Sequence, residues 1–282
     1  MGTANAMAQA PAKTAVRNGA APRERPLAGR HALITGGNRG IGAAVAERLA
    51  MLGAGVTLVA RDAATLDAKS AAIGKAHGVP AGFAVADVTQ EAAAASAIAA
   101  ANAAIGPVDI LVNNAGSGKS APFKRTDLAF WRAMMDVNLT SAFLFTSAAL
   151  PAMIEAGYGR IVNVASTAGL VGYRYVVAYC AAKHGVIGLT RSLALETAKT
   201  GVTVNAVCPG YVDTDMTRET IANIVKKTGV SEDEAIAQIT AGNPQGRLIE
   251  PEEVASAVAW LALPEQAALT GQAIPVAGGE VM

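Results

Sequence analysis

Cysteine, histidine and aromatic residues are scarce in this chain of 282 residues, with two Cys, three His and 4% Phe, Trp and Tyr. Each scarcity removes a class of explanation. Cys180 and Cys208 are too few for the disulfide framework that staples small secreted folds, so a reducing, cytoplasmic setting is expected and both are read as ordinary thiols. His31, His77 and His184 are scattered, with no HExxH or paired-cysteine spacing, which argues against a protein metal site. An excess of one charge is missing too. Twenty-three basic and 22 acidic side chains give a formal net charge of +1, leaving no basic stripe for nucleic acid and no polybasic membrane anchor. Although 52% of residues are hydrophobic, alanine inflates that share, and Gly or a charge breaks each apolar run before the ~20 residues of a membrane span. What remains is a soluble protein whose partner is a small molecule.

Residues 1–26 stand apart, with Ala, Pro, Lys and Arg but neither hydrophobic periodicity nor the apolar core of a signal peptide. They are expected to form a disordered extension. Pro11, Pro22 and Pro26 argue against the amphipathic helix of an organelle transit peptide.

From residue 31 short apolar runs alternate with longer helix-like stretches, the order of successive βαβ units. Strands are predicted at 31–35, 56–60, 82–86, 109–113, 160–165, 202–207 and 273–276. Their near-continuous apolar character fits a parallel sheet covered by helices on both faces. Helical density marks 41–52, 62–76, 90–104 and 251–262, and Pro251 followed by Glu252 and Glu253 reads as a first helical turn. With no composition break inside 27–282, one doubly wound α/β domain of about seven strands is the simplest organisation. A charged helical stretch, 213–246, interrupts the rhythm after the sixth strand, at the sheet edge where ligands bind in open α/β folds. It is expected to be a lid, a plain surface helix being the alternative.

The segment TGGNRGIG, residues 35–42, follows a strand and opens a helix. Gly36, Gly40 and Gly42 would let the backbone turn tightly and approach a pyrophosphate, whose charge is met by the helix amino end. The spacing is GxxxGxG rather than the commoner GxGxxG, so position in the fold carries the reading. Tyr179 and Lys183 are four residues apart on a predicted helix and share a face. An ammonium beside a phenol would lower the tyrosine pKa from its usual ~10. Ser166 ends a strand at the carboxyl edge of the sheet, where its hydroxyl could bond a substrate oxygen.

Taken together, TGGNRGIG, Asp87 in ADVT, NNAG at 113–116, Asn138 in MDVNL, Ser166, Tyr179 with Lys183, and CPGYVDTDM at 208–216 resemble the short-chain dehydrogenase/reductase family. The resemblance covers about 27–282, and the step from Ser166 to Tyr179 selects that tyrosine over Tyr173 and Tyr175. It implies a Rossmann-type fold and an NAD(P)(H)-dependent oxidoreductase interconverting a ketone and a secondary alcohol. In that reading Asn138, Ser166, Tyr179 and Lys183 are catalytic. Tyr179 carries the proton, Ser166 holds the reacting oxygen, Lys183 binds the nicotinamide ribose and biases the tyrosine, and Asn138 supports a water leading from the lysine. Gly36, Asn38, Arg39, Gly40, Ile41 and Gly42 would cradle the cofactor phosphates, with Asn113, Asn114, Ala115 and Gly116 lining the cleft. Asp87 and Val88 would meet the adenine, Val212 and Thr214 the carboxamide, and Pro209 and Gly210 would shape the turn before them. The family also implies a homo-oligomer, a tetramer, built on two long helices at about 127–157 and 175–199. The ending VAGGE departs from the family's DGG pattern, which is expected to alter only the local turn and the subunit contact.

Cofactor choice turns on the residues after the second strand, where an acid bonds a ribose 2′-hydroxyl and arginine a 2′-phosphate. Ala60 occupies the acid's place, with Arg61 next and Arg39 in the glycine loop, so NADP(H) is favoured. Asp62 keeps NAD(H) open. The stretch from 208 to 255 is similar to that of β-ketoacyl thioester and aromatic polyketide reductases, with a dehydrogenase of a small secondary alcohol or 3-hydroxyacid as the alternative. A non-catalytic cofactor-binding protein is a remote third, because Ser166, Tyr179 and Lys183 are all present.

Overall fold

The computed structural model describes residues 25–282. Seven parallel strands run β1 (His31–Thr35), β2 (Gly55–Ala60), β3 (Ala81–Val85), β4 (Ile110–Asn113), β5 (Gly159–Val164), β6 (Val202–Pro209) and β7 (Ala273–Val276), in the sheet order 3-2-1-4-5-6-7. The direction of winding reverses between β1 and β4, which opens a crevice at their carboxyl ends. The expected extension lies outside the described residues except for Arg25, which donates to the His77 carbonyl at 2.9 Å, and Pro26.

Because side chains alternate along a strand, each central strand feeds two cores. Ala32, Ile34, Val56, Leu58, Ile110 and Val112 point toward α1 (Gly40–Met51), α2 (Ala63–His77) and α9 (Pro251–Ala262). Leu33, Val59, Leu111 and Ile161 point toward α3 (Glu91–Ala104), α5 (Ser141–Glu155) and α6 (Val177–Thr197). The edge strands depart from the continuous burial expected of them. Phe83 and Val85 on β3 are exposed and β7 is only half-buried, since an edge strand is covered less completely than its neighbours.

A buried polar knot crosses the second of these cores. Asn113 donates to Thr146 on α5 at 3.0 Å and to Asn163 on β5 at 2.8 Å, and Asn163 donates to Thr190 on α6 at 2.9 Å. Asn113 therefore stands inside the sheet rather than lining the cleft, a correction to its expected place.

The predicted long helix at 127–157 is α4 (Leu128–Met135) and α5 joined by a single wide π turn, Asp136–Thr140. Among the described residues, Leu128–Glu155 is the stretch long and apolar enough to cross a membrane by length and composition. Here Phe145, Ala149 and Met153 pack into the core while Phe143 and Ile154 face outward. The expected lid is two helices, α7 (Asp215–Thr228) and α8 (Glu232–Thr240), sealed by Ile221, Ala235 and Leu248. Arg218 fastens them through Asp213 and Glu232.

Candidate active site

Thr35 ends β1 and organises the crevice, a role that the reading of TGGNRGIG through its glycines did not assign it. Its hydroxyl accepts from the Asn114 and Ala115 amides at 2.9 and 3.0 Å, while Asn114 Nδ2 donates to the Thr35 and Gly36 carbonyls at 2.9 and 3.2 Å. The glycine turn is thereby tied to the end of β4. A Cβ at Gly42 would sit 2.1 Å from the Gly36 carbonyl oxygen, so no larger residue lets α1 start this close to the strand. Gly40 holds φ +51°, in the left-handed region, and faces Thr214 across the crevice. Arg39 precedes α1 without capping it through its side chain. The first-turn amides of α1, those of Gly40, Ile41 and Gly42, are thus free of a side-chain cap, as a bound pyrophosphate requires.

The second half of the site is built where β5, α5 and α6 converge. Asn138 lies in the π turn, buried, with Nδ2 donating to the Ser117 and Met134 carbonyls at 2.9 Å and Oδ1 accepting from the Ser117 amide at 3.1 Å. A π turn turns a side chain out of the regular helical sequence, and such turns recur at functional sites. A Cβ at Gly116 would lie 2.9 Å from Asn138 Oδ1 and 3.7 Å from Lys183 Nζ, so this glycine is the gap between the two. Lys183 is buried and its ammonium donates to the Val164 carbonyl at 2.8 Å, 5.7 Å from the centre of the Tyr179 ring. Ser166 accepts from the Ala168 amide at 3.1 Å and stands against the Tyr179 phenol.

The electrostatics correct one expectation. Burial pushes the Tyr179 phenol above its ordinary value, the Ser166 hydroxyl opposing it, and burial brings the Lys183 ammonium down to about 8. Desolvation is the largest influence on both groups, so the phenol stands above its ordinary value instead of below it. The phenol therefore keeps its proton at neutral pH.

The other two tyrosines of the loop are engaged elsewhere. Tyr173 is bonded to Thr167 and Glu280, and Tyr175 is exposed, with left-handed backbone and its carbonyl accepting from the Ala121 amide. Tyr179 is the tyrosine beside Ser166.

At the adenine end, Asn38 donates to Thr65 at 3.1 Å, and Asp62 caps α2 by accepting from the Thr65 amide at 3.1 Å. Asp87 accepts from the Thr89 amide and hydroxyl, which hold its carboxyl below the usual range with a lesser pull from Arg61. The Val88 side chain packs in the core. Arg39 departs from the arrangement expected of it. Its guanidinium pairs with Asp215 of the lid at 3.1 Å instead of converging with Arg61. Val212 is buried and bridged to Ile249, so Thr214 is the residue of that loop that reaches the crevice. Pro209 closes β6, and the open side of Gly210 is filled by the Glu280 carboxylate.

A short chain dehydrogenase family profile matches residues 30–224. A Streptomyces violaceoruber protein described as ketoacyl reductase 1 of the granaticin polyketide synthase is 45% identical over 251 residues, 88% of this chain and 92% of the relative. The 3-oxoacyl-[acyl-carrier-protein] reductase of Vibrio cholerae is 41% identical over 256 residues, 91% of this chain and 99% of the relative. Among solved structures, an actinorhodin polyketide ketoreductase variant with NADPH superimposes with a TM-score of 0.85 at 41% identity, covering 89% of this chain and 97% of that one.

Proposed function

This chain belongs to the short chain dehydrogenase family, and on that premise we propose that it is an NADP(H)-dependent reductase acting on the ketone of a 3-oxoacyl thioester or a related polyketide. The observation that carries the reading is the convergence of Ser166, Tyr179, Lys183 and Asn138 beside a crevice with an uncapped helix amino end. When bound, the dinucleotide supplies the hydride. Its pyrophosphate would rest on the amides of Gly40, Ile41 and Gly42, and its nicotinamide ribose would bond Lys183. Ser166 would donate to the ketone oxygen and stabilise its developing charge, while Tyr179 gives that oxygen its proton. Lys183 would return a proton to the phenol, and Asn138, held by Ser117 and Met134, would keep the path from the lysine open.

The 2′-phosphate would be held by Arg61, with Arg39 joining once its pairing with Asp215 is exchanged. Asp62 turns Oδ1 to the Thr65 amide at the start of α2, which lessens the objection to NADP(H). The decisive assay follows NADPH oxidation against simple ketones, free 3-oxoacids and 3-oxoacyl thioesters. Thioesters are expected to turn over fastest, and a preference for free acids would move the assignment to a hydroxyacid dehydrogenase.

Phe143 and Leu195 project from the two long helices at 53% and 81% exposure, large apolar groups left on the surface. They support association into a homo-oligomer, a tetramer in our reading. Light scattering at micromolar concentration is expected to give a multiple of 28.4 kDa, and a particle of 28.4 kDa would contradict it. Two buried free thiols support a cytoplasmic location, to be checked by cell fractionation.

A further inference from the structure

The chain's last turn reaches back to the active site. Gly278 and Gly279 both adopt left-handed backbone, and a Cβ at Gly278 would overlap the Asn243 side chain, so the turn is seated against the end of the lid. It aims Glu280 inward. The Tyr173 phenol donates its single proton to Glu280 Oε1 and accepts from the Thr167 hydroxyl, whose oxygen is 2.9 Å away. The other carboxylate oxygen lies where a Cβ at Gly210 would stand 2.8 Å from it, a place open only because that residue is glycine. Thr167 directly follows Ser166 and begins the short 3-10 turn Thr167–Gly169. Tyr211, adjoining Gly210, senses the charge of Glu280 and lies near Tyr179.

We propose that Glu280 is a positioning residue for ketone reduction: through Tyr173 and Thr167 it fixes the turn that presents Ser166, and with Tyr211 it forms the substrate wall opposite the cofactor. The proposal rests on the reductase reading. Tyr173 and Thr167 are otherwise ordinary loop side chains, and without them one Glu280 oxygen would lack its partner. A hydrogen bond from a phenol to a carboxylate belongs to the stronger class and orders both groups.

The test compares Glu280→Ala, Glu280→Gln and Tyr173→Phe with the double variant Glu280→Ala/Tyr173→Phe. The loss of a charged hydrogen bond corresponds to about tenfold. Glu280→Ala is expected to raise the ketone KM by about that factor with NADPH affinity and melting temperature unchanged. Glu280→Gln, which keeps an acceptor for Tyr173, should recover most of it, and the double variant should be no worse than the single ones. A turnover-independent readout is the Cζ resonance of Tyr173 in 13C-tyrosine-labelled protein, which should move on Glu280→Ala. An unmoved resonance overturns the contact, and a moved resonance with unchanged KM, or additive losses in the double variant, overturns the positioning role. A wild-type chain that reduces no ketone overturns the reductase reading and this role with it, while the resonance still reports the contact.

Discussion

Tyr179→Phe is expected to lower ketone turnover by about 10²- to 10⁴-fold, the range lost when a positioned proton donor is removed. The phenol is the group beside Ser166, and burial keeps it protonated, the form that carbonyl reduction needs. Phenylalanine keeps the ring and its packing and removes only the transferable proton. NADPH affinity should therefore stay within a few-fold of wild type, measured by fluorescence titration beside the kinetics. Lys183→Ala makes the contrast, because the same ammonium is assigned both to the ribose and to the phenol, so affinity and rate should fall together. Turnover near the wild-type rate in Tyr179→Phe would sink the mechanism.

The second large effect concerns the cofactor. Arg61→Asp should weaken NADPH by about ten- to a hundredfold, since a charge-assisted contact contributes ~1.5 to 3 kcal/mol and the new carboxylate repels the 2′-phosphate. NADH should change little or improve. The structure sharpens this expectation, because Arg39 is shared with Asp215 and more of the proposed phosphate contact then falls to Arg61. Both cofactors must be titrated at one ionic strength, since an exposed phosphate contact is screened by salt. A wild-type preference for NADH that Arg61→Asp leaves unaltered would show that neither arginine selects the cofactor.

Most of the fold was legible because its signals are local. Seven apolar runs gave seven strands with ends within two residues, and the glycine segment fell, as expected, between a strand and a helix. The clustering of Ser166, Tyr179 and Lys183, the proposed catalytic group, was legible through their spacing, which one strand end and one helix face convert into proximity. What stayed hidden depends on partners distant in sequence. Nothing near Arg39 announces Asp215, 176 residues away, and nothing near Tyr173 announces Glu280. The π turn was hidden for a different reason. The resemblance implied one long helix at about 127–157, and a single extra residue in a turn leaves no mark on such a correspondence, although Asn138 lies in the wide turn. The electrostatics failed in the same way, since the spacing of a Tyr and a Lys carries no information on how deeply both will be buried.

The Asn113, Thr146, Asn163 and Thr190 knot ties together the four elements that deliver the site: β4 leads to Gly116, β5 to Ser166, α5 adjoins Asn138, and α6 carries Tyr179 and Lys183. Backbone pairing already holds β4 and β5 in register, but apolar packing alone would let a helix rotate with modest loss, whereas a buried amide out of line forfeits its bond and gains no water in exchange. The knot works as a gauge block set into the machine behind its cutting edge. Tolerance at the reacting atoms is inherited from amides that never meet the substrate, so wear in that hidden part would appear first as blunted chemistry in a chain that still folds.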